Sequence, residues 1–415
     1  MKKVFVVATM LLVLATSCDR KTPEEKIVDQ LKLEIAQDLT ENILPFWATH
    51  SVDPKGGFYG FLNYDGTPKP DAPKGGILNA RLLWTYSTAY RILKDEKYLE
   101  LANRAQVYFI SNFRDKPFGG TFLMLNADGT PLDSTKMVYQ QAFAIYGLSE
   151  HYRATGNEVS LHVAVDVFNE LMNRAHDVVD GGFVESFKRN WEEIPTRAPK
   201  TMNTNLHVLE ALTNLYRVWP EPELRDVLRE QIFVMCTKIL NPQTWHEQLY
   251  LTMDWQNLAD IDSYGHDIEF SWLLVEAAEA LGEEEAIKET QRIAVKLAET
   301  QLTEGVDENG AMLYEKGPGE NRVNLEWWPQ AESVVGFLNA WQISGDKKFL
   351  NAALKSWTWI KTYMIDYEYG EWYGHVNADY TPKKDDPKAS QWRCPYHNSR
   401  MGFEVLTRFP NTESK

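Results

Sequence analysis

The sequence predicts an all-α protein built as an (α/α)6 barrel, six inner helices ringed by six outer ones, with short β-hairpins at one end. Three observations carry that prediction. A short glycine-and-aromatic turn recurs six times at intervals of roughly 60 to 65 residues, a period that marks a repeat architecture. Roughly 50 residues lie between consecutive turns, which is room for two helices and their loops. An odd first helix can pair with an odd last one, which favours closure over an open solenoid of helix pairs.

The turns read Gly56-Gly57-Phe58-Tyr59, Gly119-Gly120-Thr121-Phe122 and Gly181-Gly182-Phe183-Val184. The fourth copy lacks glycine (Trp245-His246-Glu247-Gln248-Leu249-Tyr250). The fifth is Asn309-Gly310-Ala311-Met312-Leu313-Tyr314 and the sixth Tyr369-Gly370-Glu371-Trp372-Tyr373. Copies four and five are the weak ones. Before the first turn, Leu31, Ile35, Leu39 and Ile43 recur at helical spacing and predict a helix over 27–47. Helix pairs are expected at 76–95 and 96–113, 136–155 and 158–176, 202–218 and 222–240, 264–282 and 284–302, and 328–344 and 347–366. A last helix is expected at 396–408. Pro220 and Pro222 divide the third pair; Thr155-Gly156-Asn157 and Ser344-Gly345-Asp346 are turn signals in two others.

The unbroken period makes one domain of 26–410 out of a chain of 415 residues. A net charge of −16 argues against nucleic acid, which demands a basic surface. Fourteen Trp and 19 Tyr exceed what a core requires and suit a cleft that holds a ligand with apolar faces. Residues 1–17 have the layout of a secretory signal: Lys2 and Lys3, an apolar run over 4–15, then Thr16 and Ser17. With Cys18 and the polar Asp19-Arg20-Lys21 after it, the segment resembles a bacterial lipoprotein signal, although Ala15 stands where that pattern usually has Leu. Cys18 is then the lipidated residue and 18–25 a tether, and the protein is expected in the cell envelope, held to a membrane by the lipid alone. Cys236 and Cys394 do not make a disulfide framework.

The candidate chemistry sits where the helix after each turn begins: Arg81, Tyr139, His207, His266, Trp327 with Trp328, and His397, each roughly 17 to 27 residues past its turn. In a closed array such positions ring one mouth, and distant residues converge on one pocket. Only nine histidines occur, and three fall here. His266 with Glu269, and His207 with Glu210, stand three apart on one helix face, where a carboxylate orients an imidazole and raises its basicity. The plainer reading of each pair is a surface hydrogen bond, and of Trp327, Trp328 and Trp392 barrel core rather than stacking on sugar rings. Two His-x-x-Glu pairs and a third His could also bind a divalent ion. Against that, no HExxH string occurs and neither remaining cysteine has ligand spacing, so no metal is expected. Motifs for acyl transfer and nucleotide chemistry are absent.

Longer strings around these residues carry a family resemblance. Tyr264-Gly265-His266-Asp267-Ile268-Glu269-Phe270-Ser271-Trp272-Leu273-Leu274 resembles a signature of cellobiose 2-epimerases, within the N-acylglucosamine 2-epimerase superfamily, as does Trp392-Arg393-Cys394-Pro395-Tyr396-His397-Asn398-Ser399-Arg400. Met202-Asn203-Thr204-Asn205-Leu206-His207-Val208-Leu209-Glu210-Ala211 and Trp327-Trp328-Pro329-Gln330-Ala331-Glu332 are similar to further blocks of the family. The resemblance covers nearly all of the mature chain. It implies the (α/α)6 fold, no cofactor, and 2-epimerisation of the reducing-end sugar of a β-1,4-linked disaccharide; the protein is expected to be a monomer or weak dimer. It also implies that His266 and His397 are the acid/base pair, His207 a third active-site histidine, Arg81 the support of a negatively charged intermediate, and Glu269 the support of His266. Asn203, Tyr139, Trp327, Trp328, Trp392 and Glu332 are implied as sugar contacts. Two features depart from the family: Asn205 stands where another His is common, and a lipoprotein-like signal is unusual for enzymes that generally work in the cytoplasm. A sister activity on the same fold (N-acylglucosamine 2-epimerase or aldose–ketose isomerase) is the nearest rival. A glycoside hydrolase would need two carboxylates across the scissile bond. A membrane-anchored glycan-binding protein would leave the histidines without a role.

Overall fold

The computed structural model describes residues 21–322 and 324–410. Lys2, Lys3, the apolar run and Cys18 lie outside the described residues. Twelve helices are present among those described. α1 runs Pro23–Gln37, passes through a π-helical turn at Asp38–Ile43 and continues as Leu44–His50. It begins inside the segment expected as a tether, because Thr22 and Glu25 cap it reciprocally and Pro23 occupies its first turn. Then come α2 (Gly76–Leu93), α3 (Glu96–Tyr108), α4 (Val138–Thr155), α5 (Glu158–Arg174), α6 (Met202–Tyr216) and α7 (Pro222–Val234). α8 (Tyr264–Leu281), α9 (Glu284–Thr300), α10 (Trp327–Ser344), α11 (Lys347–Trp359) and α12 (Tyr396–Arg408) complete the set.

The even-numbered helices form the inner ring. Each packs on the next, and α12 returns to α2. Their sequences explain the placement: α2 is buried at every residue from Gly76 to Ala89, as a helix with neighbours on all sides must be. The outer α9 instead buries a stripe of Thr290, Ile293, Ala294, Leu297 and Ala298, the spacing of a single apolar face. Burying Ile293 and Leu297 stabilises this packing by about 1.5–3 kcal/mol each, so a charge at Ile293 would detach the helix. α1 takes the last outer place, against α11 and α12, where Glu34 accepts from Trp357 Nε1 at 2.8 Å and pairs with Lys361.

Short strands staple neighbouring repeats together. The two residues before an inner helix pair antiparallel with the segment after the next turn: Lys74–Gly75 with Met124–Leu125, Lys136–Met137 with Ser186–Phe187, and Lys200–Thr201 with Tyr250–Leu251. The series continues with Asp262–Ser263 on Glu315–Gly317 and Leu325–Glu326 on His375–Val376. A bridge between Leu62 and Ala389 closes it.

The fourth residue of several inner helices clamps a turn from behind. Gln141 bonds both backbone groups of Thr121, Asn205 those of Phe183, and Gln330 those of Met312. Asp267 accepts from the Glu247 amide at 2.8 Å. Four turns also carry a buried ion pair: Lys74–Asp53, Lys136–Asp115, Lys200–Asp177 and Lys388–Asp366. Copies four and five lack that pair, since Asp262 and Leu325 stand in the place of the lysine. In copy four Trp245 adopts the left-handed conformation (φ 60°) that Gly119, Gly181 and Gly310 adopt elsewhere, at a cost of roughly 1–2 kcal/mol.

Candidate active site

The turn end of the barrel opens into a cavity of about 270 Å³ lined by Arg81, Tyr139, Asn203, His207, His266, Glu269, Tyr314, Glu326, Trp327, Trp328, Trp392 and His397. Ten of these are sequence candidates. Nine of the ten come from the six inner helices, mostly at two levels, and Trp392 comes from the loop before α12. The second or third residue of a helix supplies Tyr139, Asn203, His266, Trp328 and His397. The sixth supplies Arg81, His207 and Glu269, with Glu332 of α10 at the same rank. Trp328 stands between two histidines, its ring 4.6 Å from His266 and 5.5 Å from His397. Arg81 donates to Tyr139 Oη at 2.5 Å and to the Trp392 carbonyl at 3.3 Å, and its Nε has no protein partner.

The histidines differ in what stands behind them. His207 Nδ1 lies 2.9 Å from Glu210 Oε2, the pairing that the i,i+3 spacing predicts. The same spacing fails at His266. Its Nδ1 bonds Ser263 Oγ at 2.7 Å, while Glu269 turns one oxygen to Arg400. Glu269 is therefore not the support of His266: a guanidinium within reach is a stronger partner for a buried carboxylate than an imidazole. His397 Nδ1 bonds Glu332 Oε1 at 2.7 Å. Glu332, expected at the sugar, stands behind a histidine instead, with Trp272 Nε1 on its other oxygen at 3.0 Å. Asn205 stands off the cavity wall; it is the clamp on Phe183, so a His-to-Asn difference there alters a turn rather than a sugar contact.

Residues 57–398 match the model of the N-acylglucosamine 2-epimerase (GlcNAc 2-epimerase) family. The chain belongs to that family. It is 44% identical over 387 residues to a cellobiose 2-epimerase of Bacteroides fragilis, covering 91% of this chain and 98% of that one. To a cellobiose 2-epimerase of Ruminococcus albus it is 39% identical, covering 90% and 98%. The solved structure of cellobiose 2-epimerase from Bacillus thermoamylovorans superimposes with a TM-score of 0.89 at 38% identity, over 92% of this chain and 100% of that one. This protein is thus a carbohydrate epimerase of the cellobiose 2-epimerase group, with the (α/α)6 fold.

Burial governs the charges of the epimerase's site. It pushes His266 down to about 3, helped by His207, and holds His397 well below its ordinary range, helped by Arg81 and Arg400. Both are neutral at pH 7, the state in which an imidazole accepts a proton. Glu269 rises to about 7 through burial and the nearby Glu332. Glu210 is opposed by burial, yet Arg400 and His207 draw it down to about 2. Glu269, Glu332 and His397 hold ligand-type atoms within 4.8 Å of one another. Arg400 Nη2 bonds both carboxylates, so a guanidinium fills the place of a cation there. Sequence reasoning missed Tyr314, although it ends the fifth turn, and Glu326, which precedes the Trp pair. It also missed Ser263, which lies three residues before His266, and Tyr396 and Arg400, which reach Glu210 on another repeat. Glu326 rises to about 7 through burial and the neighbouring Asp386.

Proposed function

We propose that this epimerase inverts C2 of the reducing-end sugar of a β-1,4-linked disaccharide, converting cellobiose to glucosylmannose or mannobiose to mannosylglucose. One observation carries the reading: two neutral histidines, His397 buried and His266 half-buried, face one cavity from different inner helices with Trp328 between them. The hemiacetal must open before C2–H becomes acidic, and His207, oriented by Glu210, assists that opening. One of the pair then removes the C2 proton. The resulting cis-enediolate carries charge on oxygen, which Arg81 stabilises. Inversion follows when the other histidine, neutral at rest, takes up a proton by exchange with solvent and delivers it to the opposite face, while the first histidine releases the proton it took. Each acid/base step is worth about 10²–10⁴-fold. Trp328 and Trp392 stack on the sugars, and Tyr139 and Asn203 bond their hydroxyls. A lipid on Cys18 holds the enzyme at the cell envelope.

Product analysis tests this reading. The protein is incubated separately with cellobiose, mannobiose, N-acetylglucosamine and mannose, and the products are separated chromatographically. Conversion of a disaccharide to its 2-epimer supports the proposal. Turnover of N-acetylglucosamine alone, or a ketose as the main product from mannose, would replace it with the sister activities. Binding without turnover would make the protein a glycan-binding one.

A further inference from the structure

Arg400 does not line the cavity and is 1% exposed, yet it joins the supports of two active-site histidines. Its Nη1 donates to Glu210 Oε1 and to Tyr396 Oη, and its Nη2 to Glu269 Oε1 and, at 2.7 Å, to Glu332 Oε1. Glu210 is the partner of His207, and Glu332 the partner of His397. α12 starts its clamp, Asn398, one residue early, so Arg400 falls at the rank that Arg81, His207, Glu269 and Glu332 hold on their helices. We propose that Arg400 is a positioning residue that keeps Glu332 ionised, and so fixes His397 as the tautomer whose bare Nε2 faces the substrate; this rests on the C2-epimerase reading above.

The chemistry runs in one direction. An ionised Glu332 only accepts, so it holds the proton on His397 Nδ1 and leaves Nε2 free to act as a base. Three carboxylates packed together in a buried space would share protons without a cation among them. A protonated Glu332 donates to Nδ1 instead, and the proton then sits on Nε2. Burial pushes Glu332 up, and Arg400 is the main group opposing it. The groups that bear on His397 are Arg400 and Tyr396 from α12, Arg81 from α2, His207 from α6, His266 and Glu269 from α8, and Glu332 from α10. Removing Arg400 raises the carboxylates and relieves its repulsion of His397. Both changes move the pH below which the base is lost upward. His266, backed by Ser263, lies outside this network.

Two measurements test it. The first needs no activity: ¹⁵N-histidine NMR of the unmodified protein, with His397 assigned by its loss in His397→Gln. His397 should carry its proton on Nδ1 at pH 7; a proton on Nε2 would overturn the proposal. The second compares pH profiles of kcat for Arg400→Lys and Arg400→Gln with the parent. The acid limb should move up by about 1–3 pH units in Arg400→Gln and by less in Arg400→Lys, with KM unaltered. Profiles lowered at all pH values but unshifted would reduce Arg400 to a packing residue and overturn the proposal. A parent protein that turns over no sugar would defeat the epimerase reading, while the tautomer would still decide the role of Arg400.

Discussion

His397 and His266 look into one cavity from two helices, but they rest on different supports. His397 leans on a carboxylate that is itself held by Arg400. His266 leans on a serine hydroxyl, which can donate or accept. A carboxylate dictates the tautomer of its histidine; a hydroxyl follows it. On the proposed reading, two residues of one type, His397 buried and His266 half-buried, are prepared for complementary work, one fixed as a base and one free to be acid or base. That pairing suits a reaction in which a proton leaves one face of a carbon and returns to the other.

The comparison breaks most severely if either histidine is removed. His397→Gln and His266→Gln should each lower epimer formation by about 10²–10⁴-fold while sugar binding, followed by tryptophan fluorescence, survives. A variant retaining near-full turnover would take that histidine out of the proton pair. The supports sharpen the contrast. Glu332→Gln should cost about 10- to 100-fold in kcat, and Ser263→Ala less than about tenfold, the worth of one neutral hydrogen bond. Equal losses would erase the asymmetry.

A stability measurement addresses the environment of His266. His266 titrates at about 3 in the folded protein against 6.5 as its ordinary value. Its folded value is depressed, so its contribution is present above pH 6.5 and is lost as pH falls toward 3. Between pH 7 and 5 the parent should lose on the order of 1–2 kcal/mol relative to His266→Gln, read by denaturant unfolding at both pH values. Parallel losses would mean that His266 is solvated. The smallest effect is expected from EDTA: activity should be unchanged, because Arg400 already bonds Glu269 and Glu332 where a cation would sit, and a loss restored by a divalent ion would place a metal in that cluster.

Much of this was legible in the sequence because a repeat puts equivalent residues at equivalent heights. The recurring turns located the inner helices, and helix starts located Arg81, Tyr139, His207, His266, Trp328 and His397. The pairing of His207 with Glu210 could be read because both lie on one helix. The supports of the other two histidines could not. Glu332 reaches His397 from another helix, 65 residues away in the chain, and Ser263 lies in a strand before its helix begins. Local spacing pointed to Glu269 as the partner of His266, and a long-range guanidinium claimed it. The same limit hid Arg400, which sits in a recognised string but acts through three carboxylates from three other repeats. Asn205, a departure from the family inside a recognised block, faces a turn and not the cavity.

The most direct test follows the reacting carbon itself. Cellobiose is incubated with the protein in D₂O, and the reducing end is followed by NMR. The two-histidine account predicts the 2-epimer carrying deuterium at C2, since the returning proton comes from a side chain that exchanges with solvent. An epimer that keeps only protium at C2, or cleavage to monosaccharides, would contradict it.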